Sequence, residues 1–148
     1  MVTLYDHIVV IINKNKIEGE VFYRAIHLAA MNYSKLTLAY LLEEKEYQIA
    51  LSYDKTIIDR AKKESQSYLN DLKKKAEELE IREVSTFLEV GNICEIVKYD
   101  IVDLLKPDLI VCGNDYAQEM DAPKLLGRMS DFIANRSGCD VLIVKKNL

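Results

Sequence analysis

The segment Gly113–Ser130 brings together two glycines, Gly113 and Gly127, three carboxylates, Asp115, Glu119 and Asp121, and the polar pair Arg128 and Ser130. Such a mixture suits the holding of a phosphate. Glycines let the main chain approach an anion, unpaired N–H groups at a helix start favour negative charge, and a guanidinium grips two phosphate oxygens at once. The carboxylates act in the opposite sense, because close like charges at a protein surface repel by roughly a few kcal/mol per pair. A triphosphate is therefore disfavoured there unless a cation bridges it.

Other chemistries are poorly supplied. Asp115, Glu119 and Asp121 match no EF-hand spacing and read as a solvated acidic loop, so no metal is assigned. His7 and His27 are the only histidines, and neither has a carboxylate partner recognisable in sequence, so both read as structural. Ser130 has no base to activate it, and no catalytic residue is assigned; an enzyme is not expected. Cys94, Cys112 and Cys139 are far apart and read as small core residues of a reducing compartment. The tyrosines are scattered rather than striped, which favours partial burial over stacking on bases.

Apolar patterning yields the elements that would position the loop. His7–Ile12 is a continuous β-branched run, as in a strand buried on both faces. Val21, Phe22, Ala25, Ile26, Leu28 and Ala29 mark a helix over Glu18–Asn32, and Lys35–Leu42 forms a second strand. Glu43–Thr56 has no sustained period and reads as a long connection. Ile58, Ala61, Tyr68, Leu72, Ala76 and Leu79 line one side of a surface helix whose lysine pairs face solvent. Val84–Val90 alternates as a strand and stops at Gly91. Ile93, Ile96, Val97, Ile101, Leu104 and Leu105 predict a helix that must end before Pro107. Asp108–Cys112 is a fourth strand, Pro123 opens a last helix reaching Ile133, and Cys139–Val144 is a fifth strand.

Strict alternation of strand and helix predicts an α/β fold with one open five-stranded parallel sheet covered on both faces. Ligands of such sheets bind beyond the carboxyl ends of the strands, so the loops after the first strand (Asn13–Lys16) and the fourth are the places to look. At 148 residues the chain makes one domain, residues 1–148, and 49% hydrophobic with 30% charged residues excludes a disordered tail. A net charge of −4 without a basic face disfavours nucleic acid. The start Met1–His7 lacks a basic, then apolar leader and no run is long enough to span a bilayer, so a cytoplasmic protein without membrane contact is expected.

Several segments in order, His7–Ile12, Ser34–Leu38, Gly91, Pro107–Gly113 and Cys139–Lys145, resemble the universal stress protein family over nearly the whole chain. The resemblance implies a nucleotide-binding-like fold of the adenine nucleotide alpha hydrolase type, with strand order 3-2-1-4-5. It also implies a homodimer in which last strands pair, here Val141, Leu142, Ile143 and Val144, and a cytoplasmic stress-response role through protein contacts, with partners unidentified. ATP-binding members carry a Gly-x2-Gly-x9-Gly-Ser/Thr motif after the fourth strand.

The motif is broken in this chain. Gly113 and Gly127 match its first and third glycines, Tyr116 replaces the second, one residue is added, and Arg128 stands at the small hydroxyl position; Ser130 matches a later hydroxyl. Asn13 occupies the place of the adenine-holding aspartate, while Leu41 keeps the apolar contact. The usual ATP binding is therefore expected to be lost, with no cofactor. The alternative is an ATP or AMP sensor, with magnesium, or a slow ATPase, built on Asn13, Leu41, Gly113, Gly127, Arg128 and Ser130.

Overall fold

The structure is a computed structural model that describes residues 4–12, 18–113, 133–135 and 138–145. Five parallel strands, β1 (His7–Ile12), β2 (Lys35–Glu43), β3 (Glu83–Gly91), β4 (Leu109–Gly113) and β5 (Asp140–Val144), form one sheet in the order β3-β2-β1-β4-β5. Continuous apolar runs become central strands because both faces are covered. On one face Ile8, Val10 and Ile12 meet Val21, Phe22 and Ala25 of α1 (Glu18–Asn32) and Leu69, Leu72 and Ala76 of the helix at Ile57–Glu78. On the other, Val9, Ile11, Ala39 and Ile110 meet Ile96, Val97, Ile101 and Ile133. Each such side chain larger than alanine contributes roughly 1.5–3 kcal/mol relative to exposure. No helix among the described residues is long and apolar enough to cross a membrane.

Three expectations are corrected. The connection after β2 holds a 3₁₀ turn, Glu44–Tyr47, and a single-turn helix, α2 (Gln48–Leu51), neither with a buried residue. In the following helix, α3 (Ile57–Glu78), the buried line is Ser65, Leu69, Leu72 and Ala76, while Leu79 caps the end half exposed. The crossover to β4 begins as α4 (Ile93–Glu95) and continues as a π-helix over Ile96–Leu105. The wider π turn brings residues five apart, not three or four, onto one face. Ile96 and Ile101 are therefore buried, and Leu104, expected in the core stripe, is 74% exposed. The helix expected from Pro123 lies outside the described residues up to Ile133, which is buried.

Among the described residues, α1, α3 and the π-helix are each followed by a left-handed residue other than glycine before the next strand: Tyr33 (φ 55), Glu80 (φ 62) and Lys106 (φ 48). After α3, the Glu80 N–H reaches Glu77 O at 3.0 Å and the Ile81 N–H reaches Ala76 O at 3.4 Å, a Schellman closure. A Cβ is strained there, and a carboxylate at a helix C-terminus also opposes the dipole. Tyr33 is compensated by the Arg82 guanidinium over its ring, 6.0 Å from the centroid, and Lys106 by its favourable charge. Glu80→Gly is thus expected to stabilise by about 1 kcal/mol, more than Tyr33→Gly or Lys106→Gly. Chemical denaturation ranks the three, and a loss of stability in Glu80→Gly would contradict this account.

Candidate functional site

Strand order reverses beside β1: the chain leaves it for β2 on one side and returns as β4 on the other. The crevice beyond the carboxyl ends of β1 and β4 is thus the ligand position of this topology. Of the residues singled out in sequence, Leu41 and Gly113 are described and flank that crevice on β2 and β4. Asn13, Gly127, Arg128 and Ser130 lie outside the described residues, as do Tyr116 and the loop carboxylates.

Among the described residues the register leaves a ledge of β2 there. The last β1–β2 pair is Ile12 with Tyr40, whereas β2 continues to Glu43 with Leu41, Leu42 and Glu43 opposite Glu89, Val90 and Gly91 of β3. Beyond Ile12, the β1-facing edge of β2 has no β1 partner among the described residues. Leu41, 9% exposed, belongs to the core beneath this ledge with Ile11, Ile96 and Cys112. Gly113 pairs with Val144 of β5, and no described glycine has positive φ. What Gly113 supplies is the missing side chain, not a left-handed turn.

Glu43 is the residue that sequence reasoning missed at this end of the sheet. It is 5% exposed, and its Oε2 accepts the Ile93 N–H at 3.1 Å, while Asn92 Oδ1 accepts the Glu95 N–H at 3.1 Å. Together they satisfy N–H groups at the start of α4, where a negative charge is also favoured by the dipole. Burial and then the charge of Glu43 push up both the Glu46 carboxyl and the Cys94 thiol. Cys94 and Cys139, both expected in the core, are half-buried, and Cys112 is fully buried.

At the opposite end, Asp108 explains part of the Pro107–Gly113 segment. Its Oδ2 accepts the N–H groups of Asp6 and His7, each at 2.8 Å, and its own N–H donates to His7 O at 2.8 Å. An aspartate just before a strand is a residue type that binds main-chain N–H groups, but only the fold shows that they belong to β1. It sets β1 and β4 side by side, and so sets the crevice between their far ends.

The family model for the universal stress protein family matches residues 4–145. A universal stress protein of Staphylococcus aureus (strain USA300) is 26% identical over 141 residues, spanning 95% of this chain and 84% of that protein. Among solved structures, a universal stress protein in complex with cAMP has a TM-score of 0.67 at 23% identity, covering 98% of this chain and 100% of the other. The universal stress protein of Archaeoglobus fulgidus in complex with dAMP has a TM-score of 0.66 at 18% identity, covering 97% and 100%. With the parallel sheet, its reversal at β1 and a family match over almost its full length, the chain belongs to the universal stress protein family.

Proposed function

We propose that this chain is a stress-response protein that takes an adenine mononucleotide, AMP or cAMP, in the crevice between β1 and β4, does not hold ATP in the family's usual way, and acts through protein contacts. The observation that carries the reading is the reversal of strand order beside β1, which sets the carboxyl ends of β1 and β4, with Gly113 on the latter, at the ligand position of such sheets. The complexes of relatives with cAMP and dAMP support the adenine and the single phosphate. Tyr116, the added residue and the carboxylates Asp115, Glu119 and Asp121 weigh against a triphosphate, which carries more charge than a monophosphate. Titration calorimetry with AMP, cAMP and ATP, each with and without magnesium, tests it. Micromolar AMP or cAMP binding with much weaker ATP binding is expected; tighter ATP binding would overturn the exclusion, and no binding at all would overturn the nucleotide reading.

The protein contacts begin with a second copy of the chain. Among the described residues β3 and β5 are the edge strands of the sheet. β3 carries Glu83 and Glu89, whereas β5 carries Asp140 ahead of the uncharged Val141–Val144, is half-buried over Val141–Ile143, and borders an open depression of about 350 Å³ lined by Tyr5, Leu28, Leu109, Asp140, Val141 and Leu142. Charged edges resist pairing and apolar ones invite it. Sedimentation at tens of micromolar is expected to give a dimer, and a strict monomer would refute the pairing.

A further inference from the structure

One hydrogen bond fixes which main-chain groups of the edge strand β5 are free. The Asp140 N–H donates to Asp108 O at 3.3 Å, so Asp140 turns its main chain toward β4. In a parallel ladder the N–H and C=O of one residue point to the same side and those of the next residue to the other. Leu142 and Val144 therefore also bond β4, and Val141 and Ile143 present their N–H and C=O groups at the open edge.

The side chains alternate as well. Val141 and Ile143 pack on the face of Ile110 and Cys112, while Asp140 and Leu142 lie on the face of Tyr5 and Leu28, where the depression of about 350 Å³ opens. The Asp140 carboxylate accepts the Tyr5 hydroxyl at Oδ2, at 2.9 Å, and no lysine or arginine among the described residues pairs with it. A carboxylate beside an apolar floor suits a cation on an aliphatic stem, as in lysine. Two lysines follow the strand: Lys145, which is exposed, and Lys146, outside the described residues.

A second copy that extends the sheet about a two-fold axis runs antiparallel to β5, and the residue on the axis defines the register. Centred on Val141, Leu142 faces Asp140 of the other copy; centred on Leu142, Asp140 faces Val144. Either sets a carboxylate against an aliphatic side chain. Centred on Ile143, Leu142 faces Val144, Val141 faces Lys145, and Asp140 faces Lys146, at both ends of the pairing by symmetry. The uncharged run Val141–Val144 offers little to choose between these registers, which differ by two-residue slips that keep each side chain on its face. Charge at the ends makes the choice, since opposite charges across a strand pair attract and like charges repel.

We propose that the second copy docks in the register centred on Ile143, with Asp140 of each copy paired to Lys146 of the other and the lysine stem lying over the depression. The inference rests on the edge-strand dimer proposed above and names what aligns it.

The test uses two charge reversals in the full chain, Asp140→Lys and Lys146→Asp, each sedimented alone and then mixed. Each alone sets like charges opposite one another twice per dimer and should dimerise about 10-fold more weakly than the parent, or worse. In the mixed dimer the two substituted residues attract at one end and the native pair remains at the other, so near-parental affinity is expected. Unchanged dimerisation of both variants, or no recovery in the mixture, would overturn the register. A monomeric parent would overturn the dimer itself, and the register with it. Should Asp140→Lys fail to fold, crosslinking decides the matter in a chain carrying Cys94→Ser and Cys139→Ser. There Ile143→Cys should form a disulfide between copies and Leu142→Cys should not, because only directly opposed residues bring their Cα atoms within about 4.4–6.8 Å. The reverse pattern, or a disulfide in neither, would overturn the register.

Discussion

Arg128→Ala is expected to weaken AMP binding by about 10- to 100-fold, the range of a charged hydrogen bond worth roughly 1.5–3 kcal/mol. In sequence, Arg128 directly follows Gly127 and is placed to offset the carboxylates Asp115, Glu119 and Asp121. A planar fork holds two oxygens of one phosphate, so Arg128→Lys should recover only part of the loss, a lysine being a point charge on a flexible stem. The unfolding midpoint without nucleotide should barely move, which separates lost binding from lost folding. Unchanged AMP affinity in Arg128→Ala would make the residue a surface cation and leave the phosphate to main-chain amides alone.

Asp108→Ala is expected to cost about 2 kcal/mol, because two main-chain N–H groups lose a charged acceptor at a site that water can partly reach. For a chain of this size that lowers the thermal midpoint by roughly 4–8 °C. Asp108→Asn keeps an acceptor oxygen without the charge and should restore more than half of the loss. Since Asp108 lies at the opposite end of β4 from Gly113, any fall in nucleotide affinity must come from the relative placement of β1 and β4. Measuring denaturation and AMP calorimetry on the same variants checks both effects; a stability change below about 0.5 kcal/mol would show that water replaces the carboxylate fully.

Much of the scaffold was legible because its signals are local. The β-branched run His7–Ile12 could only be a strand covered on both sides, and Gly91 and Pro107 punctuate their neighbours through main-chain geometry that needs no partner. The crossover from Ile93 was legible as a helix but not as a π-helix. An apolar repeat containing both Ile101 and Leu104 fits several helical pitches, and packing against Ile110 and Cys112 selects the one that buries Ile101 and leaves Leu104 in solvent. Gly113 was expected at the crevice from the order of the strands and Leu41 from the family resemblance. Glu43 could not be, because an acidic residue ending a strand reads as solvated unless the start of another helix is known to lie against it.

What the sequence by itself determined is the order of the strands and the family, both of which depend on residue type and spacing along the chain. Only the tertiary structure decided that Asp108 holds the start of β1, that Glu43 caps a helix fifty residues on, and that His7, Thr37 and Ser85 share one chain of hydrogen bonds. The reason is physical. A hydrogen bond or a buried carboxylate is defined by its partner, and these partners come together only when distant segments are laid side by side in the sheet.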